Sequence, residues 1–346
     1  MLQVTGVSFV MPVLNEAGYL REAVASVLSQ RLSVPMELVL ALGPSTDGTT
    51  ELARQIALED PRVSLVDNPR ADIPVGLNAA ISASRFPVII RVDAHSELSD
   101  DYAADALETL ERTGAANVGG VMHAAGRTPF QKTVAWAYNS PIGLGGGAYH
   151  GSAQAGPAES AYLGVMRREV VEAVGGFDES IRRGEDWELN LRIREAGHTV
   201  WFDPRLRVTY WPRASFGQLL RQFFATGTWR GELVRRLGAR NSLRFFAPPA
   251  LVIALVAAVV LGVLQLTAVV SGVASVWASI IYLPTVLYAL LLLALVIVRR
   301  GAGLGERLWT LAVLPGMHIS WGCGFLLGVT RGAGRSVDTS RVISAE

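Results

Sequence analysis

Cysteine and lysine are nearly missing from this chain. Its 346 residues include one cysteine, Cys323, so neither a disulfide nor a cysteine-based metal site can be assembled within one chain. Lys132 is the only lysine, and the Arg preference among basic residues reads as base-composition bias. The formal net charge is +1, without the concentrated basic face that a nucleic-acid binder needs. The largest absence is local. Between Phe245 and Val298 there is no Asp, Glu, Lys or Arg, and a second charge-free stretch runs from Leu308 to Thr330. The N-terminus shows no charged n-region or cleavage site before a strand-like run, Val7–Val13, so the N-terminal domain is expected to stay in the cytosol.

What is present falls into two kinds of sequence. Up to about residue 214, short β-branched runs alternate with helical patterns. Val7–Val13, Glu37–Leu42, Val63–Val66 and Val88–Val92 read as strands, and Glu22–Gln30, Thr49–Leu58 and Gly76–Ser84 as helices. Such alternation predicts an α/β domain with a mostly parallel central sheet. Ligands then bind beyond the carboxyl ends of the strands. From 215 to 244 the pattern becomes a basic amphipathic helix: Phe216, Leu219, Leu220, Phe223 and Phe224 recur among Arg221, Arg230, Arg235, Arg236, Arg240 and Arg244. That composition suits a membrane surface, or ordinary packing on the domain.

Residues 245–330 read as a membrane region. Two spans fit at about 249–271 and 276–298, each near the ~20 residues a bilayer requires. A third, 308–330, is less apolar and contains Pro315 and His318. Arg299, Arg300 and Arg307 between the second and third spans place that loop and the catalytic domain on the cytoplasmic side. Three full crossings would put Arg331, Arg335 and Arg341 of the polar tail, 331–346, outside, against the same rule. A re-entrant third segment is the alternative.

Three polar constellations fall at strand exits or helix starts. Met11-Pro12-Val13-Leu14-Asn15-Glu16 closes the first strand; such groups can read a base or ribose, and Asn15 reads equally as a helix cap. Asp93-Ala94-His95 closes the strand Val88–Val92, with two ligating side chains on one face. Asp93 is a hard donor for Mg²⁺ or Mn²⁺, and His95 tolerates Mn²⁺. Gly184-Glu185-Asp186-Trp187-Glu188-Leu189 opens a helix. Its acids read either as helix-start chemistry or as a general base, Asp186, beside a stacking wall, Trp187.

Their order carries more than any member. Pro12-x-x-Asn15-Glu16, Ser45-Thr46-Asp47-Gly48-Thr49, Arg91-Val92-Asp93-Ala94-His95, Gly175-Gly176-Phe177-Asp178-Glu179 and Glu185-Asp186-Trp187-Glu188-Leu189 occur in sequence. The set resembles the family 2 glycosyltransferases, over about residues 5–240. Asp-Ala-His, Tyr210-Trp211-Pro212-Arg213 and the run from His318 to Phe325 look like the branch that includes succinoglycan-biosynthesis glucosyltransferases, which also ends in hydrophobic spans.

The resemblance implies a GT-A catalytic domain over 1–214 and a single displacement with inversion. A sugar would pass from a nucleotide-diphosphate donor, expected to be a UDP-sugar, to a hydroxyl of a membrane- or lipid-linked glycan. Pro12, Asn15, Glu16 and Asp47 would flank the base, with Arg91 and Asp93 at the diphosphate. Asp93 and His95 would hold Mn²⁺ or Mg²⁺, Asp186 would be the base with Glu185 supporting it, and Trp187 would meet the acceptor. Two departures stand out. His95 replaces the second acid of the usual D-x-D, and Leu42-Gly43-Pro44 replaces an acid before Ser-Thr-Asp-Gly. The Gln-x-x-Arg-Trp motif of processive synthases is not clearly present. The competing readings are a polyprenyl-phosphate sugar synthase and a non-catalytic membrane scaffold.

Overall fold

The computed structural model describes residues 4–144, 154–238, 243–299 and 301–334. Its elements run β1 (Val7–Val13), α1 (Leu20–Leu28), β2 (Met36–Leu42), α2 (Thr49–Glu59), β3 (Val63–Asp67), α3 (Ile73–Ala83), β4 (Val88–Arg91), β5 (Ser96–Leu98), α4 (Tyr102–Thr113) and β6 (Asn117–Ala124). There follow α5 (Pro129–Tyr138), α6 (Pro141–Leu144), β7 (Gly156–Pro157), β8 (Val165–Arg167), α7 (Arg168–Ala173), α8 (Glu185–Glu195) and β9 (Val200–Tyr210). The C-terminal helices are α9 (Phe216–Leu237), α10 (Ala247–Leu266), α11 (Gly272–Ala278), α12 (Leu283–Val298) and α13 (Leu304–Arg331). The chain forms two compact units: Met1–Ala125 with Asn139–Trp211, and Gly126–Tyr138 with Pro212–Glu346.

The first unit is built on one sheet in the order β3-β2-β1-β4-β8-β6-β9-β5, with β7 on β9. The strands read from the sequence are there, and β1 to β4 are mutually parallel. Every residue of β1 is buried, which a continuous apolar run covered on both faces should give. Beyond β4 the sheet is mixed. β8 runs antiparallel to both β4 and β6, β5 and β7 run antiparallel to β9, and only β6–β9 is parallel. The expected mostly parallel sheet therefore holds for its first half. The later half combines the long β6 and β9 with the short β5, β7 and β8, and it is these short strands that run antiparallel to their neighbours.

Two hydrophobic layers cover the sheet. One gathers Phe9, Met11, Leu38 and Leu40 with Leu20, Tyr102 and Leu110. The other gathers Val10, Val39 and Ile89 with Leu77, Phe177 and Ile193. Phe177 explains Gly-Gly-Phe-Asp-Glu. Gly175 and Gly176 are left-handed, with φ 87° and 71°, a conformation that favours glycine. The turn drops Phe177 into the core, where its N–H donates to Asn78 Oδ1 and its carbonyl accepts from Asn78 Nδ2, both at 2.9 Å.

The second unit holds three helical segments long and apolar enough to cross a membrane: Leu243–Leu266, Gly272–Val298 and Leu304–Arg331. No residue of α12 is buried, whereas α13 buries Thr310, Val313, Leu314, Met317 and Phe325 among others. The reason for α13 is α9. Gly316 faces Phe216 and Leu220, Gly324 faces the Phe224 carbonyl, and Gly328 faces the Thr228 carbonyl. Conversely, Gly227 and Gly231 of α9 face the Trp321 and Phe325 carbonyls. A side chain at any of these glycines would strike the opposite helix, so the two run parallel at backbone contact, as in small-xxx-small pairs.

Candidate functional site

Because β2, β1 and β4 are adjacent and parallel, their carboxyl ends bring three distant loops together. The first two are stitched to each other. Asn15 N donates to Ser45 Oγ (3.0 Å), Asn15 Oδ1 accepts from Thr46 N (2.8 Å), and Glu16 N donates to Thr49 Oγ1 (2.8 Å). Asp47 uses both oxygens: Oδ2 accepts from Ala17 N at 3.1 Å, and Oδ1 from the Thr49 N–H and hydroxyl at 3.1 and 2.5 Å. Asn15 is therefore no helix cap. It is left-handed (φ 54°) and caps the neighbouring loop, while α1 starts after Tyr19. Pro12 is buried within β1, so it shapes the strand exit and presents no open surface to a nucleotide.

The β4 exit supplies Asp93 and His95. Asp93 is partly exposed, whereas His95 is buried, its Nδ1 3.2 Å from Glu16 Oε1 and its ring edge-on to Tyr210 at 5.3 Å. The alternation of side chains predicted a shared face; burial gives the two residues different surroundings. Glu16, expected at the nucleotide, is buried too and turns its carboxylate to His95. A carboxylate on one ring nitrogen fixes the orientation of the ring, as it does for metal-ligating histidines. Among the described residues no group of three or more His, Cys, Asp or Glu forms a metal cage. A cation here would rely on Asp93 and His95, as Mg²⁺ sites commonly rely on few protein groups.

Arg91 is the centre of the arrangement. Only 4% exposed, its guanidinium reaches Asp186 Oδ1 at 2.5 Å, Glu185 Oε1 at 3.0 Å and Asp93 Oδ1 at 3.2 Å. Burial alone would lower its pKa, but these three carboxylates outweigh that and hold it well above the ordinary value. The planar fork suits such multiple pairing, which a lysine could not reproduce. The sequence reading placed Arg91 at the donor diphosphate; in the structure its two terminal nitrogens pair with carboxylates, so as placed it organises the site.

Asp186 sits in the first turn of α8, after Gly184 with φ 80°. Its side chain is 25% exposed. Desolvation pushes its carboxyl up to about 7; Arg91 opposes this, while Glu185 and Asp93 add to it. A carboxylate poised near neutrality is what a general base requires. The helix start is braced from behind. Asn190 Nδ2 donates to the Asp186 carbonyl (2.8 Å), and its Oδ1 accepts from Asn117 Nδ2 (2.6 Å). Arg192 donates to the carbonyls of Val174 and Gly176, tying α8 to the Gly-Gly-Phe turn. Trp187, expected as an acceptor wall, is buried; as placed it packs the helix and offers no open face.

Sequence reasoning missed Tyr162 and Asn190. Burial raises the Tyr162 hydroxyl well above its ordinary value, with the charge of Asp93 and then Tyr210 adding to it, so the phenol stays neutral. Asn190 carried a faint signal, a polar residue one helical turn after Asp186 in an otherwise packing face.

A half-parallel α/β sheet with a charged cluster around Arg91 at its carboxyl edge places the first unit among α/β enzyme domains that bind ligands there, and comparison with known proteins makes it a GT-A domain. The sequence profile described as Glycosyl transferase family 2 matches residues 8–175. The succinoglycan biosynthesis protein ExoA of Rhizobium meliloti is 36% identical over 241 residues, 69% of this chain and 73% of that protein. A Methanococcus voltae dolichyl N-acetyl-alpha-D-glucosaminyl phosphate 3-beta-D-2,3-diacetamido-2,3-dideoxy-beta-D-glucuronosyltransferase is 21% identical, over 69% of this chain and 77% of that one. Among solved structures, a mannosyltransferase from Pyrobaculum calidifontis, in complex with GDP-Man and Mn²⁺, superposes with a TM-score of 0.58 at 18% identity, covering 94% of this chain and 87% of that one. That likeness shows the shared fold. The chain belongs to glycosyltransferase family 2 and is a glycosyltransferase related to enzymes of polysaccharide biosynthesis.

Proposed function

We propose that the enzyme inverts the anomeric centre of a sugar while moving it from a nucleoside diphosphate, UDP being the expected carrier, to a hydroxyl of a lipid-linked glycan. The observation that carries this reading is the Arg91 cluster, which joins a carboxylate suited to the donor diphosphate, Asp93, to one poised to take a proton, Asp186. The acceptor oxygen attacks the anomeric carbon as Asp186 removes its proton, and the nucleoside diphosphate leaves from the opposite face. Glu185 and Arg91 hold Asp186 in place before transfer. Once protonated, Asp186 relieves the crowding of negative charge around Arg91.

Asp93, with His95 oriented by Glu16, would hold a Mn²⁺ or Mg²⁺ ion. When bound, such an ion neutralises charge on the diphosphate leaving group. The stitched loops at Asn15–Ala17 and Ser45–Thr49 would receive the nucleoside. The three apolar helices favour action at a bilayer, with the catalytic unit on the cytoplasmic side that Arg299, Arg300 and Arg307 mark. A dolichyl-phosphate-linked acceptor in the name of the Methanococcus relative supports an acceptor carried by lipid.

The test is release of nucleotide by the full chain in lipid, offered a panel of UDP-, GDP- and dTDP-sugars with lipid-linked glycan acceptors. One donor should give an acceptor-dependent product, of inverted configuration and lost in Asp186→Asn. A product of retained configuration would overturn the mechanism. Transfer only to a bare polyprenyl phosphate would move the enzyme to the lipid-phosphate sugar synthases.

A further inference from the structure

By length and hydropathy α13 counts as a third crossing, but its contacts do not follow the path of one. About 42 Å long at ~1.5 Å per residue, it begins beside the end of α12. There Arg299 Nη1 donates to the Glu306 carbonyl (3.0 Å) and Thr310 Oγ1 (2.7 Å), and Thr133 of α5 donates to the same carbonyl (3.0 Å). From Glu306 to Phe325 the helix advances about 28 Å, close to the hydrocarbon thickness of a bilayer. A crossing helix would by then lie at the far end of its neighbours. That far end is identifiable: Gln265, closing α10, accepts from the Tyr282 hydroxyl at 2.7 Å and donates to Ser275 Oγ at 2.9 Å. Phe325 is elsewhere. It meets Phe246 edge-on at 5.4 Å, Trp321 meets Phe245 at 6.4 Å, and Gly322 abuts the Pro248 carbonyl, all at the start of α10. The end of α12 and the start of α10 are same-side ends of consecutive antiparallel spans, and α13 touches both. Between them it also touches α12 partway along that helix, ten residues before Val298, where the Tyr288 hydroxyl lies 2.8 Å from His318 Nδ1.

The second observation is α9. It accompanies α13 from Phe216 to the neighbourhood of Gly332, where Glu232 and Arg235 stand. α9 carries Arg221 and Arg230 as well as a buried Glu232 held by Arg235 and Arg236 at 2.8 and 2.6 Å. A crossing by α13 would draw this charged partner through hydrocarbon, where each Arg is costly. At the headgroup level Arg residues of α9 are within reach of anionic lipid.

We infer that α13 does not cross the bilayer but lies with α9 in the headgroup region, in contact with anionic lipid, across the ends of a two-span hairpin formed by 243–266 and 272–298. The tail from Gly332 onward then returns to the side of the Arg299–Arg307 loop, and Arg331, Arg335 and Arg341 satisfy the positive-inside rule. This rests on the membrane-anchored reading above and adds the number of crossings and the lipid-facing element.

The experiment uses the full chain with Cys323→Ala and single cysteines introduced as Leu58→Cys in the first unit, Ser271→Cys in the turn after α10, and Ser344→Cys in the tail. An impermeant maleimide is applied to right-side-out vesicles before and after lysis. Ser271→Cys should label in sealed vesicles, and the other two only after lysis. Labelling of Ser344→Cys in sealed vesicles, with Leu58→Cys still protected, would mean that α13 crosses and overturns the inference while leaving the anchored catalytic unit intact. External labelling of Leu58→Cys would instead overturn the cytoplasmic orientation. Failure of Ser271→Cys to label from outside would overturn the two-span hairpin. If the cysteine variants fold poorly, C-terminal fusions to green fluorescent protein and alkaline phosphatase give the tail's side independently: fluorescent with inactive phosphatase supports the inference, and dark with active phosphatase overturns it.

Discussion

The carboxyl edge of the sheet and the C-terminal helices solve opposite problems. At the sheet edge charged groups are taken out of water, and each needs a partner: Arg91 takes three carboxylates, and Asn190 and Arg192 brace the helix that delivers two of them. Along α10 to α12 the side chains are mostly apolar, and residues such as Val259, Leu266, Trp277 and Ile297 stand exposed. Those helices expect a lipid solvent, so their exposure needs no partner. α9 and α13 lie between the two regimes, joining through glycine backbones instead of through side-chain volume. Specificity in the first region comes from electrostatics, and in the second from shape.

The largest break in the first region should come from Asp186→Asn. Turnover should fall by roughly 10²–10⁴-fold with the donor KM within a few-fold, because the amide cannot take the proton. The same variant tests linkage. The Asp186 carboxyl sits near 7 in the folded chain, above its ordinary ~3.9. Its contribution to stability is therefore present below the unfolded value and lost as pH rises through 7. At pH 8 Asp186→Asn should accordingly melt higher than the wild type, a gap that closes toward pH 4. Near-normal turnover would remove Asp186 as the base, and an unchanged melting difference across that range would remove its raised pKa.

In the second region the matching break is Gly324→Leu, which drives a side chain into the Phe224 carbonyl. Overpacking of this kind costs about 2 kcal/mol, read as a lower melting temperature in detergent. Leu311→Ala, on an exposed stretch of the same helix, should leave melting almost unmoved. Equal effects from both would show that the glycine contact is unimportant. A comparable effect is expected from Asn78→Ala, which leaves the Phe177 N–H and carbonyl without their partners. About 1–3 kcal/mol of stability should be lost, measured by denaturant titration, with the pH dependence of turnover unchanged.

The two regions were also unequally legible in sequence. β1, β2 and β4 announced themselves as apolar runs, and the acids after β4 and before Trp187 could be read as chemistry because they end or begin elements. The tie between them was hidden: Arg91 and Asp186 are 95 positions apart, and no periodicity encodes such a pairing. Depth was hidden as well. His95, Glu16 and Trp187 carry functional side-chain types and lie inside, and alternation along a strand gives direction without depth. In the helical region hydropathy marks α13 as long and apolar enough to cross, but composition does not record what packs against a helix. Glycines at 227, 231, 324 and 328 were visible as small residues, but their partners were not.

The account turns on one cation setting the ionisation of the base. The measurement is the pH dependence of kcat/KM for the wild type and for Arg91→Gln, which keeps polarity and removes the charge. Arg91 lowers the Asp186 pKa against the desolvation that raises it. The wild type should therefore lose activity as pH falls through about 7, and Arg91→Gln should show the same limb displaced to higher pH. A limb that stays in place when Arg91 is removed, or a wild-type profile flat across that range, would contradict the coupling of Arg91 to Asp186.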